Sequence, residues 1–376
     1  MRILLLQIAL ISIGLIAAAH GEEAHPTYDH ADLSYVLRNN GDHAPIRKPR
    51  DWQERRSHIL AGMQRVMGKL PRPATPVPLE VQTLEEHREG KILRRKLAYH
   101  TDDAQHTVTA WLLMPIESAE PSEPDNPTAG RPAMLCLHQT TGAGKDSPVG
   151  LADRPTLHYA RQLAERGYVT LSPDYPSLGE HQHDFDADKY QSGSMKAIYD
   201  NRRAIDLLAA LPEVDPERIG AIGHSLGGHN SLFTAVFDER IKAVVTSCGF
   251  TSFHKYKGGD LAGWSGPRYM PLVESRYANS PDRMPFDFPE VLAAIAPRAV
   301  FIVAPIGDDN FEVSGVRDCV GAVEPIFNLL GAADRLQAVY PEAGHDFPDS
   351  ERKQAHEFLD HQFQHSPTTT DLVPSP

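Results

Sequence analysis

The chain has 376 residues, 41 % of them apolar, with 31 prolines and 3 cysteines. Its formal net charge of −13 is the wrong sign for a nucleic-acid partner, which needs a basic footprint. The apolar content suffices for a large core, and α/β folds often run past about 200 residues as one domain.

Arg2 precedes an apolar run from Ile3 to Ile16, followed by Ala17-Ala18-Ala19 and then acidic Glu22 and Glu23. The run is short for a bilayer span and ends in small residues, so residues 1–21 read as a cleaved export signal. Removing it, with Arg2, leaves −14. No later stretch is apolar and long enough to span. The expectation is a secreted or periplasmic protein with no membrane span after cleavage, its oligomeric state open.

Residues 22–50 are polar and irregular. From Asp51 to Lys69 the apolar residues fall at helical spacing, with Asp51 as the expected N-cap and Pro71 as the stop. Together, 22–74 form an arm and helix expected to pack on the core. Residues 79–114 alternate like strands, and a polar link covers 117–132. Apolar strands then alternate with helices. Strands are expected at 133–137, 168–172, 218–223, 241–247, 299–304 and 336–340. Helices are expected at 156–166, 194–211, 225–237, 314–330 and 350–363. Apolar runs separated by helices predict a mostly parallel sheet covered on both faces, an α/β class fold, over 75–365. The tail 366–376 is expected to be disordered. Between Ser247 and Ala299 the rhythm stops for about fifty residues, so 250–290 reads as a lid-like insertion.

Gly223-His224-Ser225-Leu226-Gly227 fits G-x-S-x-G, with a strand running in and a helix running out. That context puts the Ser225 hydroxyl on a sharp turn at a helix N-terminus, where backbone N–H groups stabilise negative charge. A serine needs a base, and the base needs an orienting acid. Both belong after later strands, acid first. Asp308 stands 83 residues on, after the strand 299–304, and His345 a further 37 on, after the strand 336–340. Asp309 competes with Asp308 for the acid role. The oxyanion donors are expected to be the N–H groups of Leu226 and of Gln139, in the loop after the strand 133–137.

Gly-His-Ser-Leu-Gly-Gly, the Leu-His-Gln-Thr-Thr segment at 137–141, Pro173-Asp-Tyr-Pro and Gly344-His345-Asp-Phe together resemble α/β-hydrolases. The likeness is to dienelactone hydrolase-like and acetyl xylan esterase-like serine esterases, and it covers roughly 75–365. Dienelactone hydrolases proper use cysteine where this chain has Ser225. The resemblance implies an α/β-hydrolase fold and a serine esterase acting on small-molecule or carbohydrate esters. The alternatives are a serine peptidase of the prolyl-oligopeptidase type, or a non-catalytic binder on the same scaffold. Such peptidases usually carry a β-propeller of about 280 residues, and only 132 residues precede Ala133 here.

Thr141-Gly-Ala-Gly-Lys145 suggests a phosphate loop but lacks the earlier glycine and the following Ser or Thr. His181, His183 and Asp184 offer metal-ligand types, yet loop histidines are common in a chain with 19. No metal or cofactor is expected, and Cys136, Cys248 and Cys319 read as structural. In the insertion, Tyr256, Trp264, Arg268 and Tyr269 are the expected substrate contacts, in a stretch (251–284) with five Lys/Arg against three Asp/Glu.

Overall fold

The computed structural model describes residues 28–38, 40–116, 130–152, 154–187 and 189–369. The expected leader, most of the 117–132 link and the end of the tail lie outside these residues. The polar stretch before residue 50 folds into a hairpin of β1 (Tyr35–Leu37) and β2 (His43–Pro45). Helix α1 (Pro49–Met67) starts two residues before Asp51, because Pro49 suits the first helical position. Asp51 serves from the third position instead, accepting the Lys48 N–H at 3.0 Å.

A nine-stranded sheet follows. The antiparallel strands β3 (Gln82–Glu89), β4 (Ile92–His100) and β5 (Thr107–Pro115) form one end. The remainder is parallel: β6 (Arg131–Leu137), β7 (Val169–Pro173), β8 (Val214–His224), β9 (Ile241–Ser247), β10 (Ala299–Val303) and β11 (Leu336–Val339). Their spatial order is β11-β10-β9-β8-β6-β7-β5-β4-β3. The chain runs from β6 to β7 on one side and then back to β8 on the other. That reversal opens a crevice beyond the C-terminal ends of β6 and β8, where ligands bind in open α/β sheets.

The connecting helices are α2 (Tyr159–Glu165), α3 (Gly193–Ala210), α4 (Leu226–Phe237), α5 (Leu272–Ser275), α6 (Phe288–Ile295), α7 (Val313–Leu329) and α8 (Asp349–Phe363). Successive strand residues point to opposite faces, so β6 sends Leu135 into one core and Met134 and Cys136 into another. The first core is covered by α1, α3, α4, α6 and α7, the second by α2 and α8. No helix among the described residues is long and apolar enough to cross a membrane.

Two further departures from expectation have clear causes. Helix α6 lies within the stretch that shows no periodicity, and all eight of its residues are buried. A helix packed on every side carries no polar stripe. At the other end, Thr368 of the expected disordered tail bonds to the Arg166 and Glu165 carbonyls at the end of α2.

Candidate active site

The turn between β8 and α4 is very tight. Ser225 sits at φ 55°, ψ −119°, strained for a residue with a side chain. Its N–H donates to the Ser247 carbonyl at 2.8 Å, which fixes the turn against β9. A Cβ on Gly223 would come within 2.2 Å of the Gly227 carbonyl oxygen, and one on Gly227 within 1.9 Å of the Leu137 carbonyl oxygen. Both positions are restricted to glycine by close backbone approach. Ser225 thereby heads α4, at the end of the crevice beside the loop after β6.

The loops after β10 and β11 bring the other two groups. They are laced together by Ile306 N–H to Pro341 O and Gly307 N–H to Ala343 O, both 2.9 Å. The Ser225 hydroxyl donates to His345 Nε2 at 2.9 Å, and His345 Nδ1 lies 2.9 and 3.0 Å from the Asp308 oxygens. Asp308 is buried. Burial pushes its carboxyl up, but the His345 hydrogen bond and charge, with the Asn310 and Phe311 N–H groups, outweigh this and lower it overall. Asp309 is exposed, and its carbonyl accepts from the Lys257 ammonium. Of the two candidate acids, it is Asp308 that meets His345.

The neighbouring loop is braced. The Asp346 carboxylate accepts from Thr156 at 2.7 Å and Arg154 at 3.1 Å. His224 is fully buried, bonded to Ser247 Oγ at 3.1 Å, with its ring 4.9 Å from that of His345. Burial, then the nearby His345, lowers its pKa to about 3, so it packs beside His345 as a neutral ring.

A cavity open to solvent meets the serine. One wall is made by Thr140, Ser225, Leu226, His229, Asn310 and Phe311; the other by Tyr256, Gly263, Trp264 and Tyr269. Leu226, expected as an oxyanion donor, therefore borders the cavity. Gln139 lies one residue away from it, its side-chain amide donating to Ser147 at 2.9 Å, and Thr140 is the loop residue at the wall.

The far wall comes from the segment 250–290, whose lining residues Tyr256, Gly263 and Trp264 sit on short 3₁₀ turns. Trp264 is 3 % exposed and sits in an aromatic cluster, its ring within 6.4 Å of those of His229, Phe253, Tyr256, Phe288, Phe311 and Tyr269. Only a small part of its ring can reach a ligand. Tyr256 is also buried. Tyr269 is half-buried and shares a 3.1 Å hydrogen bond with Thr140, linking the two walls. Arg268 is turned away to Ser177 Oγ, 3.1 Å off, and does not line the cavity.

The remaining sequence candidates are accounted for as follows. Lys145 is buried against Asp174 at 2.8 Å. His138 accepts the Tyr175 N–H at 3.0 Å and donates to the Gln139 carbonyl, a structural role for its side chain. The His181 and His183 rings lie 5.8 Å apart. Among the described residues, the ligand types that converge are Cys248, Asp308 and His345, with one atom of each within 4.8 Å of the others. The latter two are already bonded to each other, and the Cys248 thiol contacts the Asp346 carbonyl. All three cysteines are free and buried.

Sequence reasoning missed His229. It stands four residues after Ser225 on α4, hence on the same helix face, and that spacing was the available signal.

A model of the prolyl oligopeptidase family matches residues 156–365, from the start of α2 through the end of α8. Among curated sequences, the chain is 25 % identical over 306 residues to the hydrolase named YtaP of Bacillus subtilis (strain 168), covering 78 % of this chain and 93 % of that protein. It is 25 % identical over 199 residues to a 4-O-methyl-glucuronoyl methylesterase of Hypocrea jecorina, covering 47 % and 42 %. A glucuronoyl esterase from Solibacter usitatus superposes with a TM-score of 0.65 at 18 % identity, over 90 % of this chain and 99 % of that one. At that identity the likeness establishes the α/β-hydrolase fold.

Proposed function

The chain belongs to the prolyl oligopeptidase family of α/β-hydrolases, and we propose that it is an exported serine esterase acting on carboxylic esters, those of carbohydrates among them. The observation that carries this reading is the continuous hydrogen-bonded line from Asp308 through His345 to Ser225, ending at an open cavity.

In the reaction, Ser225 Oγ attacks the ester carbonyl carbon while its proton passes to His345 Nε2. Negative charge on the carbonyl oxygen is met by the N–H of Leu226 and by an N–H of the 139–140 loop. As the tetrahedral intermediate collapses, the C–O bond breaks and the alcohol leaves with the proton from His345. Water then loses a proton to His345, attacks the acyl-serine, and releases the carboxylic acid and free Ser225. Asp308 holds the imidazole and stabilises its charged form. Carbohydrate esters are favoured by the names of the relatives and by the expected export signal.

The family name keeps a peptidase reading alive. The described residues before β6 form a hairpin, α1 and three strands of the same sheet. Purified enzyme on p-nitrophenyl acetate, acetylated xylan, glucuronate methyl esters and aminoacyl amides decides between the readings. Ester turnover lost in Ser225→Ala supports the proposal; turnover of amides alone replaces it with the peptidase.

A further inference from the structure

The cavity beside Ser225 has an unusual electrical character for an acidic protein: among the described residues, none of its ten lining side chains carries a formal charge. The one titratable imidazole apart from the triad is His229, which burial holds down to about 3, so it is neutral at working pH. A carboxylate, phosphate or ammonium placed against these walls would give up part of its water and meet no counter-charge among them.

The walls nevertheless hold unmet polar capacity. His229 is 4 % exposed; the Gly249 carbonyl is the hydrogen-bond neighbour of its ring, which leaves the other ring nitrogen without a partner. Trp264 Nε1 is likewise buried without a partner. The two rings meet edge to face, with centroids 4.9 Å apart, one on α4 and the other on the covering segment. A buried polar group left unmet is unfavourable until a ligand supplies the missing partner. With its N–H turned to that carbonyl, the neutral imidazole keeps an acceptor nitrogen, and the indole donates. Such a pair fits a hydroxyl group, which does both.

We propose that His229 and Trp264 are specificity-determining residues that pair with hydroxyl groups of an uncharged substrate, so that the enzyme selects esters of neutral, hydroxyl-bearing alcohols such as sugars. The proposal rests on the esterase reading above and adds what the site accepts and refuses. Charged groups beside the scissile bond are excluded for want of a counter-ion. Analogues stripped of hydroxyls are disfavoured because the two rings stay unpaired.

The test uses three acetate esters: a monoacetate of methyl xyloside, the same ring without its free hydroxyls, and a monoacetate of methyl glucuronoside bearing a free carboxylate. Wild type should prefer the first over the second by at least about tenfold in kcat/KM. It should prefer the first over the third by at least about a hundredfold. His229→Phe should bring the first ratio below about threefold, while His229→Asn, which keeps a donor and an acceptor, should hold more of it. Trp264→Phe provides an independent variant should His229→Phe not fold. Equal rates on the three esters by wild type would overturn the proposal and leave the esterase reading standing. So would an unchanged ratio in folded His229→Phe. Turnover of none of them, with Ser225 still labelled by a fluorophosphonate, would overturn both.

Discussion

The two walls of the cavity are built on opposite electrostatic terms. On the sheet side, the Asp308 carboxyl is lowered, because His345 and two backbone N–H groups outweigh its burial. On the covering side, burial raises Asp287 to about 7, even though the Phe288 and Phe253 N–H groups point at it. Its oxygens accept from Phe253 N at 3.0 Å and Phe288 N at 2.6 Å, so it pins the covering segment to the head of α6. Two buried acids thus do different work. One is held ionised against the His345 imidazole. The other anchors a neutral, aromatic wall and resists being charged. The difference shows why a net charge of −13 says little about this site.

The sharpest way to separate the walls is to remove their key groups in turn. Ser225→Ala should cut kcat by at least about 10³-fold, with the fold intact and fluorophosphonate labelling abolished. Labelling that persists would remove Ser225 from its role. Asp308→Asn should lose about 10³–10⁴-fold. Asp309→Asn, at an exposed side chain with no bond to His345, should stay within about threefold of wild type. The reverse ranking would move the acid to Asp309.

On the covering wall the largest effect should be on stability. Trp264 is the centre of a buried aromatic cluster, so Trp264→Ala should cost about 3–5 kcal/mol in urea unfolding. A loss under about 1 kcal/mol, with KM alone affected, would make it a surface contact instead. The two acids should also give opposite pH signatures. Asp308's share of stability is present above the ordinary carboxylate value of 3.8 and is lost as the pH falls through its lower folded value. Asp287 titrates near 3.8 unfolded and about 7 folded. The folded state therefore holds the extra proton between these values, and stability falls as the pH rises through that window. Asp287→Asn should flatten melting temperature against pH between about 4 and 7; an unchanged slope would show that Asp287 does not titrate there. The smallest effect belongs to Tyr269→Phe. It removes the hydrogen bond to Thr140 between the walls, a change of about 0.5–1.5 kcal/mol measured by denaturation.

The walls also differ in how far the sequence discloses them. Strand ends carry strong local signals. An unbroken apolar run leads into Gly223-His-Ser-Leu-Gly, and another into the Asp308 loop, so the sheet side was legible nearly to the residue. The choice between Asp308 and Asp309 was not, because neighbours on one loop differ only in where the turn aims them. The covering side gives weaker signals. Phe288–Ile295 is buried on every face, and the aromatics looked available for stacking because composition does not report burial. Arg268 was a reasonable partner for substrate until its bond to Ser177 is considered. The β1–β2 hairpin escaped notice because three-residue strands are too short to set a period.

The sealed thiols turn this contrast into something a stopwatch can read. Cys136 lies in the central strand β6, Cys319 on α7, and Cys248 at the mouth of β9, against the loop that carries His345 and Asp346. None is disulfide-bonded, and all three are buried. A thiol-reactive dye must therefore wait for the structure around each one to open. Cys136 and Cys319 time the loosening of the core. Cys248 times excursions of the covering segment and the triad loops. Native protein carries three clocks, and the order in which they strike tells whether the roof over the active site breathes independently of the house.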